Sequence, residues 1–332
     1  GYNKKMNRFM ELRMRALEIL FSAADFNYYP ALEFDKMWKT ILLNQFHDII
    51  PGSSITPVYE DSRRQYEDLK TKSEDLLQAV SGLLFQEDEN SITIVNTLSF
   101  PYTRPFQLPK EWMQHEVTEV SGLAVKMQCE EFPVAQVNIP PLSAITLQKD
   151  GPRASFSFCI PETLVLENDL IRYEFDDQAQ LKRAFDKEVE REIFIDGQRG
   201  NKLCLYEDRP AKWDAWDIDI YYEQELLQEA QAITMEKIAC GEIRKGIEIE
   251  YKVGQSTIIQ KIFLYENSKQ LDFETEVDWQ ENHKLLRTEF EVDVQSDTAL
   301  FEIQYGMVRR RTHRNTSEDM AKFEVAGHRW AD

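Results

Sequence analysis

Apolar residues in the first quarter of the chain recur at helical spacing. Met6, Phe9, Met10, Leu17, Leu20, Phe21 and Ala24 follow steps of mainly three, four and seven. Phe34, Met37, Trp38, Ile41 and Leu42 form a second pattern of one buried face, which ends at the strong stop Pro51-Gly52. A third run opens at Thr56-Pro57, read as an N-cap followed by proline at the first helical position. It carries Tyr66, Leu69, Ser73, Leu76, Leu77, Val80 and Leu84 along one stripe. Three helices with short connections predict an antiparallel bundle over residues 1–87.

The polar stretch Gln86-Glu87-Asp88-Glu89-Asn90 marks a boundary, and beyond it the period becomes two. Ile92, Ile94, Leu98 and Phe100 alternate with polar residues. Ile247, Ile249, Tyr251 and Val253, then Leu271, Phe273, Val277 and Trp279, then Phe290, Val292 and Val294, alternate largely with acidic ones. Strands with one apolar and one acidic face build antiparallel sheets wet on one side. Asp150-Gly151-Pro152 and Asp196-Gly197 read as turns between them. The expected fold class is α+β and multidomain, a three-helix bundle followed by antiparallel β-sandwich domains. The expected domains are the bundle at 1–87, a small β domain at 88–152 and a large β-sandwich domain at 153–332.

Charge narrows the partners. The 332 residues carry a net charge of −20, of which about −2 lies in residues 1–87 and about −18 beyond. Such a chain repels phosphate backbones and anionic membrane surfaces. Alternating acidic strand faces account for much of the acidity, and their spacing does not suit a cation-binding surface. No run of 18 apolar residues exists. Cys129, Cys159, Cys204 and Cys240 lie far apart without a C-x-x-C pair, which excludes a cysteine-based zinc knot. They read as free thiols in or beside strands, in keeping with a reducing compartment. The sequon Asn315-Thr316-Ser317 matters only in a secreted protein. The chain opens in a helical pattern without Met and stops at Trp330-Ala331-Asp332, so both ends read as cuts through a longer protein.

Three places could carry chemistry. His47-Asp48 enters the Pro51-Gly52 stop at the end of the second helix. Imidazole and carboxylate are both zinc ligands, while a histidine at a helix C-terminus is also favoured by the helix dipole. Trp213-Asp214-Ala215-Trp216-Asp217 could stack sugar faces on indole and take hydroxyl hydrogen bonds on Asp, or be sandwich core with a turn. Thr312-His313-Arg314-Asn315 could bind a ligand or cap the sheet; His328 is a further candidate, and His115 and His283 read as surface residues. No G-x-G-x-x-G, Walker A or G-x-S-x-G motif occurs.

The segment Asn44-Gln45-Phe46-His47-Asp48-Ile49-Ile50-Pro51-Gly52-Ser53 resembles a signature of glycoside hydrolase family 38, the α-mannosidases. Trp213 to Asp217, Thr312 to Ser317, Ala321 to Glu324 and Gly327 to Trp330 look like family segments in the same order. The resemblance covers nearly the whole chain and is similar to the bacterial and cytosolic branch. It departs from the family pattern at Arg311, where a proline is usual, and at Glu318, where an aromatic is usual.

The resemblance implies an α/β catalytic domain ahead of the three-helix domain, then a galactose mutarotase-like large sandwich, incomplete here at its C-terminus. It implies a retaining, zinc-dependent α-mannosidase whose nucleophile and acid/base lie outside this chain, leaving no catalytic residue within it. By motif, His47 matches a zinc ligand donated by the helical domain, and Asp48 matches the neighbouring carboxylate that contacts substrate hydroxyls. One divalent ion, zinc or a substitute such as cobalt, would be completed by the missing domain. The implied partner is a mannose-containing carbohydrate, with homo-oligomerisation open, and the implied location is the cytoplasm. The alternative is a freestanding carbohydrate-binding or scaffold protein without catalysis, with Trp213 and Trp216 as platforms.

Overall fold

A computed structural model describes residues 1–152, 164–214 and 216–332. Cys159 and Ala215 fall outside the described residues. The chain divides into two units: residues 1–159 with 212–217 and 239–243, and residues 160–211, 218–238 and 244–332.

The first unit opens with three helices, α1 (Tyr2–Ala23), α2 (Ala31–Asn44) and α3 (Thr56–Leu84). Met10, Met14, Leu17 and Phe21 of α1 face Phe34, Met37 and Ile41 of α2 and Tyr66, Leu69 and Val80 of α3 in one core. These are the i, i+3, i+4, i+7 stripes of the sequence. Two expectations shift. Leu42 is 58% exposed, because the stripe of α2 continues from Ile41 to the buried Asn44, three residues on, rather than to its immediate neighbour. Thr56 is not the cap: Ile55 holds that position without a side-chain hydrogen bond, and Pro57 sits within the first turn, where its missing N–H costs nothing.

The strands of the first unit are β1 (Ser91–Asn96), β2 (Pro105–Gln107), β3 (His115–Glu119), β4 (Met127–Cys129), β5 (Pro133–Gln136) and β6 (Ser143–Pro152). They form two antiparallel three-stranded sheets, ordered β1-β6-β3 and β2-β5-β4. Ile94, Leu108, Trp112, Val117, Val137, Ile139 and Leu147 fill the core associated with them. Strand β6 runs through Asp150-Gly151-Pro152, so the turn expected there is strand, with His115 opposite Pro152. Leu98 lies beyond the end of β1, and Phe100 is also beyond it and exposed.

The second unit holds β7 (Val165–Glu167), β8 (Ile171–Phe175), β9 (Leu181–Asp186), β10 (Arg191–Glu192), β11 (Lys202–Glu207) and β12 (Leu226–Glu229). Further on come β13 (Gln231–Cys240, whose last two residues belong to the first unit), β14 (Arg244–Val253), β15 (Ser256–Tyr265), β16 (Leu271–Asp278), β17 (Lys284–Glu289), β18 (Thr298–Ile303) and β19 (Gly306–Arg311). Sheets ordered β10-β9-β8-β7, β12-β11-β17 and β13-β14-β15-β16 share one core. Ile247, Ile249, Tyr251 and Val253 of β14 are fully buried there, as their alternation predicts. Val277 and Trp279 are exposed, because β16 is the edge strand and the core extends only under Leu271 and Phe273. The strand expected over Phe290 to Val294 is absent: β17 stops at Glu289, and Val292 makes only an isolated bridge to Phe194.

Cys204 is buried, and burial pushes its thiol up to about 11; Cys129 and Cys240 are also free thiols. No helix among the described residues is long and apolar enough to cross a membrane.

Candidate functional site

The turn after α2 is built from both sides. The Gln45 N–H donates back to the carbonyls of Ile41 and Leu42, and Phe46 N–H to Leu43, ending the helix. Ile49 and Ile50 then donate to the Phe46 carbonyl, at 2.8 and 3.1 Å, and Gly52 closes the turn at φ 104°, a conformation open to glycine.

Polar side chains fasten this turn to the other two helices. Asn44, almost fully buried, donates through Nδ2 to Gln65 Oε1 of α3 at 2.7 Å. Gln45 Nε2 donates to Asn7 Oδ1 and Glu11 Oε1 of α1, at 3.1 and 2.9 Å. Tyr66 completes the cluster with its hydroxyl 3.4 Å from Asn7 Oδ1; burial and the neighbouring Glu11 push its phenol up to about 12. From α3, Tyr59 donates toward the carbonyls of Asp48 and Ile49 and accepts from the Ser54 N–H. Ser54 Oγ donates to the Asp48 carbonyl as well.

With the backbone held, the side chains of His47 and Asp48 stand out from the bundle, 70% and 53% exposed. His47 Nε2 lies 3.5 Å from Asp48 Oδ2, too long for a strong hydrogen bond, and its ring packs on Phe46 with centroids 4.2 Å apart. Leu42, Leu43, Phe46 and Ile55 add exposed apolar surface on the same stretch of chain. An exposed imidazole can serve a metal as one donor. The set is partial: among the described residues, no group of three or more His, Cys, Asp or Glu could hold an ion.

The other candidates lie elsewhere. Trp213 and Trp216 are 70% and 56% exposed and are not sandwich core; Trp216 and Asp217 donate to the Trp213 carbonyl in a tight turn, with Trp213 at φ 63°. His313 sits beside Asp319, with Nδ1 3.7 Å from Oδ2, and Arg314 forks Glu223 at 2.6 and 2.7 Å. Thr316 caps the short helix α4 (Ser317–Met320) by accepting from the Asp319 N–H. His328 donates its backbone N–H to Glu302. His115 is half-buried, with its ring against the Asp150 carbonyl, and His283 is exposed. Sequence reading missed Asn7, Glu11 and Tyr59, and named Asn44 and Gln45 only within the Asn44–Ser53 segment, without their anchoring role; the one available signal for that role was Asn44, a polar residue on the apolar stripe of α2.

A helical bundle followed by antiparallel sheets is the arrangement expected of the middle and C-terminal domains of glycosyl hydrolase family 38. The model of the glycosyl hydrolases family 38 C-terminal domain matches residues 166–332, and that of the alpha mannosidase middle domain matches residues 1–84. The chain belongs to glycosyl hydrolase family 38. Alpha-mannosidase 2C1 of Homo sapiens is 34% identical over 341 residues, covering 99% of this chain and 32% of the relative. Alpha-mannosidase G of Dictyostelium discoideum is 29% identical over 377 residues, covering 99% and 34%. The chain thus spans about a third of the length of these curated relatives. The crystal structure of an alpha-mannosidase from Enterococcus faecalis V583 superposes with a TM-score of 0.72 at 16% identity, over 93% of this chain and 45% of that one, a likeness of fold.

Proposed function

We propose that this chain is part of a retaining, zinc-dependent α-mannosidase that hydrolyses α-mannosidic bonds in a mannose-containing carbohydrate. His47 donates one ligand to the ion, and Asp48 accepts hydrogen bonds from sugar hydroxyls. The nucleophile, the acid/base and the remaining ligands come from an α/β domain outside this sequence, so the chain alone is inactive. A bound divalent ion supplies a template and Lewis acid for the sugar hydroxyls. The carrying observation is the His47-Asp48 pair, exposed on a turn anchored to all three helices. The exposed Leu42, Leu43 and Phe46 beside it suit contact with that further domain. The free thiols support a cytoplasmic location.

In the full-length enzyme, His47→Ala is expected to lose bound zinc and aryl α-mannoside hydrolysis together, by roughly a hundredfold or more. Metal content and rate both at wild-type level, with the fold intact by circular dichroism, would make His47 a structural turn residue.

The exposure of Trp213 and Trp216 favours a second reading, a carbohydrate-stacking platform. Trp213→Ala should then weaken mannose-oligosaccharide binding by this chain without touching metal content.

A further inference from the structure

A cavity of about 580 Å³ opens between the β18–β19 hairpin and residues 312–325. Arg309, Arg310, Arg311, Arg314 and Lys322 line it, against two carboxylates, Glu318 and Asp319. In a chain of net charge −20, five cations around one hollow call for a partner.

Three of the five already have one. Arg311 Nη1 lies 3.4 Å from Asp319 Oδ1, Arg314 forks Glu223, and Lys322 Nζ lies 3.2 Å from Glu318. Two do not. Arg309 is exposed and has no carboxylate partner among the described residues. Arg310 donates one Nη2 hydrogen to the Ala326 carbonyl and lays its guanidinium over Phe301, 5.6 Å from the ring centre, but its Nε is buried and unpartnered. His313 Nδ1 is buried and unpartnered as well, since Asp319 Oδ2 at 3.7 Å is beyond hydrogen-bond reach. Buried donors without acceptors are rare in native structures and point to an absent partner.

The walls are fixed independently of any ligand. Asp319 is held by Thr316 and Arg311, which keep its carboxyl below the usual range. Thr312 donates its backbone N–H to Asp297, and Phe323 packs against Tyr222 at the edge of a small core with Cys204 and Tyr206. A preformed hollow bordered by the exposed, unpaired guanidinium of Arg309 and carrying surplus positive charge matches an oxyanion, whose lone pairs guanidinium groups recognise.

We propose that this cavity binds the carboxylate or phosphate group of a small ligand, held by Arg309 and Arg310. His313 adds a donor in its Nδ1–H tautomer. All the lining residues lie within 299–325, so the site stands or falls separately from the His47 assignment.

The test is isothermal titration of the chain with sodium phosphate and, separately, sodium acetate, each against sodium chloride at equal ionic strength. A saturable heat with Kd on the order of 1 mM is expected for at least one anion, weakened tenfold or more in Arg309→Gln and in Arg310→Gln. Arg309 is exposed and unpaired, so Arg309→Gln keeps the fold, which circular dichroism checks, and it decides the matter alone if Arg310→Gln unfolds. Tighter phosphate assigns a phosphate-bearing ligand, and tighter acetate a carboxylate-bearing one. Heats no larger than those of chloride, or equal affinity in wild type and Arg309→Gln, would overturn the proposal.

Discussion

Trp213 occupies φ 63°, a region that a bulky side chain adopts only under constraint, yet its indole is mostly in water. The surroundings therefore fix the backbone there, not packing of the ring. Trp213→Gly is expected to be more stable than Trp213→Ala by about 1 kcal/mol, because alanine keeps the left-handed penalty and glycine does not. Urea denaturation of the two variants checks this, and equal midpoints would show that no strain is stored. The same scale shows what a sequence can say of a site. His47 and Asp48 stand out in the chain as a ligand-type pair before a Pro-Gly stop. Their anchors do not, because Gln45 finds Asn7 and Glu11 more than 30 residues away and Asn44 finds Gln65 across the bundle. Such partners follow from how the helices meet, which no local spacing encodes.

Among the strands and turns, a buried asparagine does work that the hydrophobic pattern does not reveal. Asn168, between β7 and β8, donates to the carbonyls of Tyr265 and Ser268 at 2.8 and 2.7 Å and accepts from the N–H groups of Leu170 and Ile171. It joins one hairpin turn to the loop that follows β15. Asn168→Ala strands four backbone groups and should cost about 2–4 kcal/mol. Asn168→Asp keeps the acceptor but sets a carboxylate against two carbonyls, so it should not rescue. Chemical denaturation reads both, and a loss under 1 kcal/mol for Asn168→Ala would mean water replaces the amide. In the first unit, Asn96 plays a matching part, donating to the carbonyls of Phe100, Ile139 and Pro140. Strand β14 was legible because its alternation runs over a deep core on one side. The alternation at Phe290 to Val294 misled because an apolar period of two needs a regular ladder along its length, and this segment meets residues 193–199 only through scattered backbone hydrogen bonds and one isolated bridge.

Across the whole molecule, ion pairs set the pH range of stability. Hydrogen bonds from Lys284 and then Arg209 hold Glu207 down at about 2. Glu174 is lowered by Arg172 and Arg183, Asp186 by Lys269, and Glu302 by Arg329. Carboxylates depressed in the folded state add stability that is complete above their unfolded values and is lost as pH falls toward the folded ones. The thermal midpoint should thus drop between about pH 4.5 and 2. On the alkaline side, burial lifts Tyr66 and Tyr173 to about 12, so stability falls as pH rises from 10 toward that value. A midpoint flat from pH 7 to 3 would refute the acid limb. The bundle, the sheets and the acidic strand faces were readable from period and charge, whereas the arginine-lined cavity was not, since residues 299–301 meet 308–325 only after the hairpin forms. The first unit also reclaims residues 239–243 from far along the chain: Gln128 accepts from the Ile243 N–H at 2.9 Å, and Lys126 pairs with Glu242. During synthesis, then, the amino-terminal unit stays unfinished until residue 243 has left the ribosome, more than 90 residues after β6 is made. No single cut between the two units would release either one whole.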